Sequence, residues 1–172
     1  SAKATGISVA DIAKISAIVH PDSAKIVCHP RIEKNEPKTP YDAKFSLPWS
    51  VAALLIDGAL VVDTFEPASI MRPAVIALAS KFEYSEKSEV AAAAAAAGFV
   101  EITTNDGRTF SGKVASSAGG PTNRLTLAAL TEKFVLQCAD RQAATALADE
   151  ILHIESVAKI ATIAAKIATL GK

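Results

Sequence analysis

Period-two alternation is the first pattern along the chain. Across residues 12 to 20, "IAKISAIVH", Ile15, Ala17 and Val19 fall on one face, and Lys14, Ser16, Ile18 and His20 on the other. β-Branched residues at that spacing predict a half-buried strand. Pro21-Asp22 breaks it. "SAKIVCHP" predicts a turn or a single helical turn stopped by Pro30, and residues 31 to 38 read as a polar loop. Thr39 and Pro40 then have the chemistry of a helix start. The hydroxyl can cap, the proline suits the first helical position, and Asp42 stands where a capping-box acid would. Pro48 would fall inside any helix begun there. An interior proline removes a backbone hydrogen bond and collides with the preceding turn. Either a first helix ends near Phe45 and a second begins with Ser46 as its cap, or one helix is kinked. From Trp49 to Ile56 the chain is almost wholly apolar, which predicts a helix buried on most sides. Asp57-Gly58 ends it, the glycine suiting a left-handed cap.

A further helix is predicted over about residues 67 to 80, with Pro73 able to shorten it, and "KFEYSE" reads as a strand. The alanine run at 91 to 97 favours helix by propensity but carries no apolar payload with which to dock one. In "GFVEITTNDGRTFSGKVAS", Val100, Ile102 and Thr104 alternate, Asp106-Gly107 supplies a positive-φ turn, and Phe110, Gly112 and Val114 answer across it, which is a hairpin signal. The Gly/Pro loop "SAGGPTNR" follows. The rest is helical in pattern. Thr126 can cap a helix whose stripe is Leu127, Leu130, Phe134 and Cys138. Ala144, Leu147, Ile151 and Ile154 make a second stripe. Val157, Ile160, Ala164 and Ile167 make a third, with Lys159 and Lys166 pointing away. This order of elements predicts an α+β fold, a two-layer sandwich of helices packed on a mostly antiparallel sheet, with residues 1–172 as a single domain.

Composition narrows the function classes. Half of the residues are apolar, aromatics are only 5%, and alanine is abundant, so the core is expected to be aliphatic. Lysine plus arginine equals aspartate plus glutamate at 18 each. A neutral chain is a poor candidate for nucleic acid, which calls for a basic face, and for a polybasic membrane contact. No apolar run reaches the roughly 18–20 residues of a spanning helix. Cys28 and Cys138 are far apart and have no metal-ligand spacing, so they read as reduced thiols. His20, His29 and His153 have no partner at the spacing of a zinc helix and read as surface or capping residues. No serine elbow, P-loop or nucleotide fingerprint is present. "GGPTN" reads as a loop, with an anion-binding turn as the alternative.

Three stretches carry a resemblance. "PKTPYDAKFSLPWSVAALLIDG", residues 37 to 58, is similar to the C-terminal region of the MmgE/PrpD family, with its TP-x-[DE]-A-[KR]-x-S motif, an aromatic three residues after the serine, and an apolar helix ending near a glycine. "VEITTNDGRTF" resembles the family's late hairpin. "GGPTNRLTLAALTEKF" resembles its G-x-P-x-N-P-L-[ST]-x-x-x-L-x-x-KF segment, with Arg124 in place of the usual proline. The opening "ISVADIAKISAIVHPDS" resembles the first strand of the same region. The alanine run is the main departure.

The resemblance implies a small lid domain over a larger all-helical N-terminal domain, which this chain lacks. The family includes 2-methylcitrate dehydratase, cis-aconitate decarboxylase and iminodisuccinate epimerase. It therefore implies a cofactor-independent lyase or isomerase moving a proton next to a carboxylate on a small di- or tricarboxylic acid. The main acid/base residues would lie outside this stretch, so the chain alone is expected to be inactive. The implied partners are the helical domain and a polycarboxylate, the implied parent is a homodimer, and the implied location is the cytoplasm, or the mitochondrial matrix for a eukaryotic parent. No residue here is assigned as catalytic and none as a metal ligand. Lys44, Ser46 and Trp49 become candidates to line the substrate cleft, with Trp49 at least partly accessible. Trp49 would supply an apolar wall, Lys44 a charge for a carboxylate, and Ser46 a hydrogen bond or a helix cap. The alternative is a non-enzymatic α+β interaction module that keeps the fold.

Overall fold

The computed structural model describes residues 6–88 and 97–170. Of the alanine run only Ala97 falls among them, so the helical preference of the run concerns residues outside the described ones. The chain divides into two compact units, Ser1–Asn123 and Arg124–Lys172.

The first unit is built on one sheet. Strands β1 (Ile12–Val19), β2 (Phe82–Glu86), β3 (Gly98–Thr104) and β4 (Thr109–Val114) lie in the order β2-β1-β3-β4. The β1–β3 and β3–β4 ladders are antiparallel, as expected. The β1–β2 ladder is parallel, so the sheet is mixed. The reason is the connection. A tight turn at Asp106-Gly107, with Gly107 at φ 82°, reverses β3 into β4. The long helical return from β1 to β2 permits a parallel crossover. Ile15, Ala17 and Val19 are buried, as their alternation predicts. A register shift between Ile12 and Lys14 turns Ile12 onto the same buried face, out of step with the alternation.

Six helices occupy the crossover: α1 (Pro21–Val27), α2 (Arg31–Asn35), α3 (Pro40–Lys44), α4 (Leu47–Asp57), α5 (Pro67–Ile70) and α6 (Pro73–Ala79). The conflict between Thr39 and Pro48 resolves as two helices. Thr39 and Asp42 exchange a full capping box at the start of α3. Ser46 caps α4, and Gly58 closes it at φ 83°. Pro73 likewise splits the 67–80 stretch, because it can only open a helix there. Residues 31–35 are not the polar loop that their composition suggests. α2 forms because tertiary partners hold it: the Arg31 guanidinium donates to the carbonyl of Phe82 at 3.1 Å, and Lys34 Nζ donates to the carbonyl of Phe45 at 2.7 Å. Where α4 ends, Arg72 grips Asp57 through both guanidinium nitrogens at 2.7 and 2.8 Å. That ion pair, with the hydrogen bond first, holds the Arg72 pKa above its ordinary value.

Helices and sheet enclose one core. Ile12, Ile15 and Phe82 from the strands meet Trp49, Ile70 and Val75 from the helices, each at most 1% exposed. Full burial of side chains this size contributes roughly 1.5–3 kcal/mol apiece.

The second unit contains α7 (Leu127–Leu136), α8 (Arg141–Leu152) and α9 (Ile160–Leu170). Thr126 caps α7 and Asp140 caps α8. The predicted stripes hold only in part. Ala144 and Leu147 are buried, but Leu127, Leu130, Ile151 and Ile154 are exposed. In α9 the buried residue is Ile163, while Ile160, Ala164 and Ile167 are exposed. Lys166 does not point away from its neighbours: its ammonium pairs with Glu150 of α8. A helix of Ala, Ile and Leu offers more than one apolar stripe, and packing against α8 chooses among them.

Candidate functional site

The TP-x-D-A-K-x-S segment becomes a folded corner. α3 carries Lys44 on its exposed side. Among the described residues Lys44 has no hydrogen-bond or ion-pair partner, so its ammonium is open to solvent. Tyr41 and Phe45 flank it, with ring centroids 4.9 Å apart, and both are exposed. Ser46 is different. It is 1% exposed, and its hydroxyl is fully engaged. Oγ donates to the carbonyl of Lys34 and accepts the N–H of Trp49 at 3.1 Å. With Lys34 Nζ on the carbonyl of Phe45, this ties α2 and the α3–α4 turn together from both sides.

Trp49 is fully buried, which corrects the expectation of partial accessibility. Its indole stacks at a tilt on Phe65, centroids 5.7 Å apart, and Nε1 donates to the carbonyl of Ile70 at 3.2 Å. The reason is the start of α4. With Ser46 as cap, Trp49 takes the third helical position and turns inward with Ala52 and Ala53. Of the three sequence candidates, Lys44 alone is left facing solvent.

A second constellation brings together residues that lie far apart in the sequence. Tyr84 and Glu86 are two apart on β2 and share a face with buried Phe82. The Tyr84 hydroxyl lies 2.6 Å from His29 Nε2, and Glu86 Oε1 lies 3.5 Å from the same nitrogen. Burial, then the nearby Cys28 and Glu86, raise the Tyr84 pKa. Phenol and carboxylate approach the same imidazole nitrogen, so they compete for one position on the ring and form no relay through it. The signal in the sequence is weak: only the alternation Phe82, Tyr84, Glu86 marks one face, and His29 lies more than fifty residues earlier. His20 and His153 do act as capping residues. His20 Nδ1 accepts the N–H of Asp22 at 3.2 Å, and His153 Nδ1 donates to the carbonyl of Asp149 at 2.9 Å.

Cys28 lies beneath this cluster, buried and free. Burial, with a smaller contribution from Glu86, pushes its thiol up to about 11 from 9.0. A raised folded-state pKa contributes stability that is present below pH 9 and lost as pH rises through 11. Wild type is expected to lose urea resistance more steeply over that window than Cys28→Ala, in which the raised Tyr84 still contributes a smaller loss. Cys28 is also expected to resist alkylation at pH 8 until the protein unfolds. Equal slopes for the two proteins in alkali would contradict the first expectation.

The Gly-rich loop closes on itself through its backbone. The N–H groups of Gly119, Gly120 and Asn123 are all taken by carbonyls within the turn. Among the described residues no three His, Cys, Asp or Glu side chains come together as a metal site, and no helix is long and apolar enough to cross a membrane. One apolar cavity of about 240 Å³ opens beside the corner, lined by Leu47, Ile18, Val27 and Phe99, with His20 and Ser23 as its polar groups.

The comparison with known families agrees with the corner and the hairpin. The model for the MmgE/PrpD C-terminal domain matches residues 2–159. The chain belongs to the MmgE/PrpD family, and the match spans the motif corner, the β3–β4 hairpin, α7 and α8. No curated protein matches the chain.

Proposed function

We propose that this chain serves as the lid domain of a lyase or isomerase of MmgE/PrpD type, acting on a small di- or tricarboxylic acid by proton transfer next to a carboxylate. The family match over residues 2–159 carries this reading. Within it, Lys44 is the residue of the motif that holds substrate. Its uncompensated ammonium, beside the apolar rings of Tyr41 and Phe45, is suited to one carboxylate of the acid. Ser46 and Trp49 act behind it, fixing the corner from which Lys44 projects. An ammonium is no base, so the proton is taken by groups of a helical partner domain. The 172-residue chain by itself is then catalytically silent.

The test joins this chain to a helical domain of the same family and follows deuterium exchange or elimination by NMR in D2O, with a panel of di- and tricarboxylates. Lys44→Ala is expected to raise KM by about 10–100-fold, the size of a lost charge-assisted hydrogen bond, with kcat nearly unchanged. Lys44→Arg should restore most of the affinity. Absence of exchange and elimination on every acid would overturn the reading of function. Turnover that is indifferent to Lys44→Ala would remove Lys44 from the site.

A further inference from the structure

The cavity beside the motif corner has a chemistry that a polycarboxylate does not match. Its wall is Ile18, Val27, Leu47 and Phe99, and among the described residues that line it none is an Asp, Glu, Lys or Arg. A second carboxylate inside would be stripped of water against hydrocarbon, at a cost of several kcal/mol without a partner. Two polar side chains, however, have unused donors. His20 Nδ1 is occupied as an acceptor by the Asp22 N–H, so the neutral ring carries its proton on Nε2 and offers one N–H. The Ser23 hydroxyl has no hydrogen bond among the described residues and offers one O–H. A mostly apolar concavity with a small number of polar groups is the usual form of a small-molecule site. Gly98 adds to the space, since a Cβ built there meets no atom of the described residues within 4 Å.

We propose that this cavity binds a short-chain aliphatic monocarboxylate, with its hydrocarbon tail against Ile18, Val27, Leu47 and Phe99 and its single carboxylate taking the donors of His20 and Ser23. The site is separate from the one at Lys44 and does not depend on the proposed function, because its test measures binding rather than turnover.

The test is a titration of the 172-residue chain with sodium pentanoate at pH 7.5, read from amide and methyl shifts by NMR, with 1-pentanol and succinate as controls. Saturable shifts are expected at Ile18, Val27, Leu47 and Phe99 with pentanoate, and none with succinate. Ser23→Ala combined with His20→Asn, which keeps a helix-capping side chain, should weaken pentanoate by about tenfold or more and leave 1-pentanol within about twofold. Gly98→Val, at a strand position that tolerates a branched residue, should abolish binding of both. If Gly98→Val does not give a dispersed spectrum, Val27→Phe and contacts from the pentanoate methyl to Val27 and Leu47 in the wild-type protein decide the matter. Pentanoate shifts that do not saturate, that map elsewhere, or that persist unchanged in the filled variants would overturn the proposal.

Discussion

Trp49→Ala is expected to destabilise the first unit by about 3–5 kcal/mol, the range for deleting a large aromatic from a packed core. The residue is fully buried, its ring meets Phe65, and its indole N–H is the donor to the carbonyl of Ile70. Truncation removes the packing, opens a cavity between α4 and α5, and leaves a buried carbonyl without its partner. Each of these is costly, and they add at one site. Trp49→Phe separates the terms. It keeps most of the ring volume and loses the N–H, so its cost should fall to about 1–3 kcal/mol. Because this is the only tryptophan, urea unfolding should be followed by circular dichroism or by methyl NMR of Ile15 and Val75. A cost below about 1 kcal/mol for Trp49→Ala would show that the side chain is not a core element and would return it to consideration as a cleft residue.

Ser46→Ala is expected to cost about 2–4 kcal/mol, large for the loss of one oxygen. The hydroxyl has two roles in a site closed to water. As a helix cap it contributes typically about 1 kcal/mol. As a donor it satisfies the carbonyl of Lys34, and leaving that acceptor unpaired adds about 1–3 kcal/mol. Ser46→Gly discriminates the two, since glycine is almost as good a cap and cannot donate. Ser46→Asp can cap but cannot donate, so it should fail to rescue. Thermal unfolding of the three variants gives the ranking. If Ser46→Gly restores wild-type stability, the hydrogen bond to Lys34 contributes nothing and the cap alone explains the residue.

These two variants also bear on the motif itself. In TP-x-D-A-K-x-S the threonine, proline, aspartate and serine all shape the local backbone. Together they start α3, end it, and start α4 again within a few residues. Lys44 is the exposed charged residue of the motif that takes no part in this. A pattern dense with helix-start signals builds a sharp corner, and what such a corner can present to another molecule is the residue it does not use.

Much of this was legible along the chain because it depends on near neighbours. The capping box at Thr39 and Asp42, the cap at Ser46, the left-handed Gly58, the Asp106-Gly107 hairpin and the alternation of β1 are all set by sterics and hydrogen bonds within a few residues. The sequence by itself also determined the family, through spacing that a local motif preserves. Other features were settled by contacts between distant segments. α2 exists because Phe82 and Phe45 supply carbonyls to Arg31 and Lys34. The parallel β1–β2 ladder depends on where the crossover returns, and the buried face of α9 on what α8 presents to it. Trp49 illustrates the limit most directly. Three residues after Ser46 its spacing suits a cleft as well as a core, and only the approach of Phe65 and the Ile70 carbonyl, which no local pattern encodes, decides that the indole is sealed inside. The same holds for His29, Tyr84 and Glu86, which meet because the fold brings a turn onto an edge strand.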